Sequence, residues 1–207
     1  MRTLVMLAGM IVGNFAWTAG AAALDCKKLA EGKGGLKGQA TMGAPDADKN
    51  PMQFTIARDE HVVVTMTNLA KAQTITSRLD GIILLETSVG TPPKTYLSSF
   101  DGFAGDMSSL ETGTKSSYTQ TIKIDGRDFR TEQVAQEIGV RGSKAISGCN
   151  IETVRVHRDI EEGGGNRRSL DFDFAPSVGY PVYSSGFFLR DGKTSVSVFE
   201  MTSLETE

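Results

Sequence analysis

A chain of 207 residues with 22 Lys+Arg against 25 Asp+Glu has a formal net charge of -3, a pI near 5.5 and no basic tract of the kind nucleic-acid binding requires. Two histidines in the whole chain exclude a histidine-rich metal centre, and two isolated cysteines with no local Cys or His partner do not make a zinc site.

The chain opens on Met1-Arg2-Thr3, continues in an apolar stretch from Leu4 to Trp17 and reaches the small residues Ala21-Ala22-Ala23. This is the three-part layout of a secretory signal, with cleavage expected after Ala23. The apolar run is short of the about 20 residues a membrane span needs, and no later segment approaches that length. Leu24-Asp25 precede Cys26 where lipid attachment would want small residues, so the expected product is periplasmic or secreted, soluble and not lipid-anchored. Residues 24–207 then fall within the size of one domain with a sizeable core.

Asp25 is placed to cap a short helix running to Ala30, with Gly32 ending it. Residues 45–51, between Pro45 and Pro51, read as a polar loop. Phe54 to Ala57 and Glu60 to Met66 flank Arg58-Asp59 as a hairpin, with Val62, Val64 and Met66 on one face. Thr74 to Arg78 and Ile82 to Ser88 flank Asp80-Gly81, a pair suited to a type I′ turn in which both central residues have positive φ. Asp125-Gly126 repeats the device and pairs Ile124 with Arg127, Lys123 with Asp128 and Ile122 with Phe129. Val134 and Ile138 stand at helical spacing, with Thr131 as cap and Gly139 as stop, so a short helix is expected over 131–138.

The last third carries the clearest pattern. Folding about Gly164 sets Val156 opposite Phe172 and Val154 opposite Phe174, while His157 meets Asp171 and Arg155 meets Asp173. One face is apolar and the other ionic. Pro176 and Pro181 bracket a connection that cannot lie inside a central strand. Phe187 to Arg190 and Lys193 to Met201 then form a hairpin about Asp191-Gly192, with Phe187 near Val196. The fold class that follows is mainly β: an antiparallel curved sheet, barrel or half-barrel, with one or two short helices.

In an exported chain the pair Cys26 and Cys149 reads as a disulfide. Closing a loop of roughly 120 residues stabilises by about 4–5 kcal/mol on the chain-entropy account.

Chemistry finds few footholds. Gly-x-Ser-x-Gly, the P-loop and the dinucleotide glycine fingerprint are missing from the sequence. Ser143-Lys144 are adjacent and not spaced to converge. His157, Asp159 and Glu161 alternate and would share one strand face, a possible divalent-ion set, although Asp171 already faces His157. That face reads better as a solvated ionic one. His61 reads as a strand-end surface residue, and the carboxylate pairs Asp171 with Asp173 and Glu161 with Glu162 as charge balance against Arg155 and His157. Neither a metal nor another cofactor is expected.

The aromatic residues Tyr180, Tyr183, Phe187 and Phe188 remain. Adjacent strand residues point to opposite faces, so one of Phe187 and Phe188 needs an apolar environment outside the core. Tyr183, Phe187 and Phe188 are therefore the candidate contacts for an apolar ligand.

The stretch with Cys149, Val154, Val156, then 174–182 (Phe-Ala-Pro-Ser-Val-Gly-Tyr-Pro-Val) and the Asp191-Gly192 hairpin resembles exported bacterial domains related in style to lipoprotein-carrier half-barrels. The resemblance spans about the last 60 residues, carries no catalytic residue, and implies a curved antiparallel sheet that holds an apolar ligand or a protein partner. The expected function is a non-enzymatic binding module for a lipid or apolar small molecule. The alternatives are an envelope or host-facing interaction protein without a pocket, and a hydrolase of unrecognised type.

Overall fold

The computed structural model describes residues 24–207 except Lys33; the signal-peptide assignment to residues 1–23 lies outside them. Twelve antiparallel strands close into one barrel in simple chain order, the first pairing with the last. They are β1 (Leu36–Gly43), β2 (Asn50–Arg58), β3 (Val62–Asn68), β4 (Gln73–Asp80), β5 (Ile83–Val89), β6 (Lys94–Ala104), β7 (Lys115–Ile124), β8 (Arg127–Ile146), β9 (Cys149–Glu162), β10 (Arg167–Ala175), β11 (Tyr180–Arg190) and β12 (Lys193–Thr206). Closure removes the free edges that an open sheet of this size would expose.

Helix α1 (Cys26–Ala30) sits at the end of the barrel where β1 begins. Asp25 caps it as expected, its Oδ1 accepting from the Lys27 and Lys28 amides at 3.0 and 3.1 Å. The Cys26–Cys149 disulfide ties α1 to the start of β9, and Leu24 and Leu29 pack into the core beside it. Arg58 fastens the same end, Nε donating to the Gly34 carbonyl at 2.8 Å and Nη1 to that of Ser177. Burial lowers its pKa.

The hairpin about Gly164 has the expected register: Val156 faces Phe172, Val154 faces Phe174, His157 faces Asp171 and Arg155 faces Asp173. Phe187 faces Val196. At Asp125-Gly126 both residues take positive φ, and the first two pairs are as expected. A bulge then shifts Ile122 onto Arg130 in place of Phe129, leaving Phe129 57% exposed.

Three further expectations are corrected. Residues 131–138 belong to β8 and not to a helix. Val134 and Ile138 are four apart, a spacing that places them on one side of a strand as readily as of a helix. The loop expected over 45–51 ends early, since β2 starts at Asn50 and includes Pro51. At Asp80-Gly81 the central pair is Gly81-Ile82, because Asp80 itself faces Ile83, and Gly81 alone takes positive φ there.

The outer wall is polar. It carries Lys37 with Glu205, Arg78 with Glu86, Lys115 with Glu137, Lys123 with Asp128 and Arg155 with Asp173. A lipid-spanning barrel has the opposite arrangement, an apolar band outside. No described helix is long and apolar enough to cross a membrane.

Candidate functional site

The barrel interior is packed unevenly. Under β1–β4, β11 and β12 the inward residues Leu36, Phe54, Ile56, Val64, Met201 and Leu204 form a closed apolar core. Gly38 belongs to this packing: a Cβ there would fall 2.2 Å from the Ser203 carbonyl oxygen and 2.7 Å from the Phe54 ring.

Under β5–β10 the interior is packed in two smaller clusters, one around Ile138, Val154, Val156 and Phe174 and one of Tyr118, Val134 and Ile160, and open space remains between them. A cavity of about 360 Å³ is lined by Ile83, Leu84, Val89, Tyr96, Phe100 and Ile122, with Tyr118, Gln120 and Ser98 as polar members. A second lobe of about 220 Å³ reaches across to β4 and β11, among Leu79, Ile82, Phe172, Phe174, Tyr180 and Ser184. Leu84, Arg158 and Leu170 line both lobes. The larger lobe falls within the range of roughly 300–1,000 Å³ typical of small-molecule sites, and its lining has the usual make-up of an apolar wall with a few polar groups. A comparable hollow of about 370 Å³ over Lys37, Gln39, Gln53 and Thr55 lies on the polar outer wall and offers less apolar contact.

At the end of the barrel away from the disulfide, the larger lobe meets four charges. Glu132 Oε1 lies 2.6 Å from both Arg130 Nε and Arg168 Nη2, while Glu162 lies 2.9 Å from Arg168 Nε and 3.4 Å from Arg130 Nη1. Glu132 is 1% exposed. Only the Arg130 to Glu162 contact is aligned as a hydrogen bond; the others are ion pairs by distance. Two cations and two anions cancel, which lets them tolerate this low-dielectric position.

Arg158 stands apart from that group. Its Nε donates to Gln136 Oε1 at 3.1 Å, and its Nη2 donates to the same oxygen and to the Ile82 carbonyl at 3.1 Å. The guanidinium also lies 5.4 Å from the centre of the Phe172 ring. Gln136 is held in turn, Nε2 donating to the Met107 carbonyl at 3.1 Å. Protein surrounds Arg158 on all sides, yet it keeps accessible surface because part of the side chain faces the cavity. Desolvation lowers its pKa, the neighbouring Tyr118 opposes that shift, and Arg168 adds to it. Burial raises the Tyr118 pKa, keeping the phenol a neutral hydrogen-bond donor.

The three aromatic candidates do not converge. Phe188 points inward, its ring lying with Leu170 over Gly186, where a Cβ would come within 2.8 Å of each. Phe187 points outward and is 38% exposed beside Val196, 43% exposed. Tyr183 is also on the outer wall, with Lys144 Nζ 5.4 Å from its ring centre. Lys144 itself donates to Glu200 at 2.9 Å, which gives it a structural partner in place of Ser143. His157 is paired on both nitrogens, to Asp171 and Asp159 at 3.1 Å each. Among the described residues no group of His, Cys, Asp and Glu is arranged to hold a metal ion. Arg158, Glu132 and Gln136 had no signal as site residues. They are inward members of strands whose polar character conceals the inward face.

No protein-family model matches the chain, and no curated protein matches it in sequence. Among solved structures, the hypothetical lipoprotein YmcC from Escherichia coli K12 is similar at a TM-score of 0.45 and 10% identity, over 86% of this chain and 87% of that one.

Proposed function

We propose that this protein is a non-enzymatic binding module of the bacterial envelope, exported by its N-terminal signal, that holds an apolar ligand inside the barrel. The observation that carries the reading is the hollow beneath β5–β10, walled by aliphatic and aromatic side chains within an otherwise tightly packed barrel. A water-facing outer wall and a disulfide suit an oxidising compartment outside the cytoplasm. Two of the side chains that offered catalytic chemistry in the sequence are taken up in structural pairs, Lys144 with Glu200 and His157 with Asp171 and Asp159. An interaction protein with a solid core is the less well supported alternative, because it gives the hollow no purpose.

Solvent extraction of the purified protein followed by mass spectrometry tests the reading, with an environment-sensitive acyl probe added to the stripped protein. A stoichiometric lipid in the extract, or saturable probe binding, is expected. An empty extract together with no probe binding contradicts it. A screen of ester, peptide and glycoside substrates is expected to return no turnover; reproducible turnover would overturn the non-enzymatic assignment.

A further inference from the structure

Arg158 is a cation without a counter-ion. Among the described residues no carboxylate lies within ion-pair distance of it, whereas Arg130 and Arg168, on the neighbouring part of the same interior, each contact two glutamates. A guanidinium has five N–H donors in a rigid fork. Gln136 and Ile82 occupy those on Nε and Nη2, and among the described residues Nη1 meets no acceptor. Arg158 lines both lobes, so an occupant of either lies beside it.

A buried charge without a partner is costly, and that cost falls when an anion arrives. Gln136, fixed by the Met107 carbonyl and the Ser116 hydroxyl, holds the guanidinium in place before any ligand binds. Tyr118 adds a neutral O–H on the same cavity wall. The ionic square of Arg130, Glu132, Glu162 and Arg168 is already balanced and presents no net charge to a ligand. One uncompensated cation between two apolar lobes calls for one negative charge joined to an apolar body.

We infer that the ligand is a singly charged anionic amphiphile, of the class of long-chain carboxylates, whose headgroup pairs with Arg158 while its chain fills the apolar lobes. This rests on the proposed binding role and specifies the ligand for it. A carboxylate accepts two N–H donors from an arginine in parallel, which orients as well as attracts it.

Displacement of a fluorescent acyl probe by palmitate and by hexadecanol separates the two readings. Equal chain length makes the headgroup the only difference. Palmitate is expected to bind at least tenfold more tightly than hexadecanol, and Arg158→Met is expected to bring the two to within about threefold. Arg158→Met also takes the donors from Gln136 Oε1 and the Ile82 carbonyl, so its unliganded melting curve is recorded alongside to establish that the variant is folded. Equal affinities in the parent protein overturn the inference while leaving the cavity role standing. A palmitate preference that survives in Arg158→Met overturns the assignment to this residue. Binding of neither ligand overturns the cavity role itself. Palmitate labelled with ¹³C at the carboxyl provides a readout that needs no variant. Its bound carboxyl should stay ionised to a lower pH than a free carboxylic acid, and a raised pKa in the complex contradicts pairing with Arg158.

Discussion

The two halves of the barrel differ although the same meander builds both. Under β1–β4, β11 and β12 most inward positions are apolar and meet in one large core, anchored by α1, the disulfide and the buried Arg58, with Ser77 and Ser184 as inward polar exceptions beside the smaller lobe. Under β5–β10 the inward positions include Glu132, Gln136, Arg158, Glu162 and Arg168, and the space between them stays open. Stability is therefore concentrated on one side and binding capacity on the other. A closed sheet permits this, because the packed half holds the hollow half in register through continuous hydrogen-bonded neighbours.

The comparison is broken most strongly at the anchored end. Replacing both Cys26 and Cys149 with Ser is expected to cost about 4–5 kcal/mol on the chain-entropy account, measured by denaturant unfolding, since the closed loop spans 123 residues. A loss under about 1 kcal/mol would show that the packed half needs no tether. On the hollow side, Glu132→Ala is expected to cost about 3–5 kcal/mol, because Arg130 and Arg168 both lose their nearest carboxylate in a buried setting. Ordinary surface-pair behaviour, about 0–1 kcal/mol, would mean that water fills that end and screens the charges.

Truncations sharpen the same contrast. Leu204→Ala in the closed core should cost about 2–5 kcal/mol. Ile122→Ala on the cavity wall should cost about half as much or less, since part of that side chain has no packing partner to lose. Equal losses at the two sites would place comparable packing in both halves.

The smallest effect is on the outer wall. Desolvation opposes ionisation of His157, but hydrogen bonds to Asp171 and Asp159 outweigh it and raise the pKa. A raised folded-state pKa favours the protonated form. Its contribution is thus complete below the unfolded histidine value near 6.5 and is lost as pH rises through the higher folded value. The site is mostly exposed, so solvent screening keeps the effect under about 1 kcal/mol. Melting curves from pH 5 to 9 should show a slightly steeper decline in this window for the parent than for His157→Gln, and identical slopes would remove the claim.

Legibility in the sequence follows the same division. The Gly164 hairpin could be read because its two faces are chemically pure, Val and Phe inward against His, Arg and Asp outward. β8 could not, because Glu132 and Gln136 take inward positions on either side of Val134, ahead of Ile138, and erase the alternation that marks a strand. The Ser147-Gly148 turn between β8 and β9 was hidden for a related reason. Both residues adopt positive φ, but Ser in that position is a weaker turn signal than the Asp of Asp125-Gly126. Of the aromatic residues singled out in the sequence, Tyr180 alone lines the cavity, in its smaller lobe, and Tyr183, Phe187 and Phe188 line neither lobe. Alternation placed Phe187 and Phe188 on opposite faces, but which one faced inward depended on how twelve strands close. A cavity has no sequence signature, since it consists of what inward side chains fail to fill.

Thermal unfolding in the presence of palmitate tests the central claim most directly, using the parent protein and Ser98→Phe, which places a ring inside the larger lobe. At a ligand concentration of about 100 times Kd, linkage adds about 2.7 kcal/mol. That corresponds to a rise of roughly 5–11 °C in Tm for a domain of this size. The account predicts such a rise for the parent and a much smaller one for Ser98→Phe. No rise in the parent, or an undiminished rise in Ser98→Phe, would contradict a ligand held in the hollow half of the barrel.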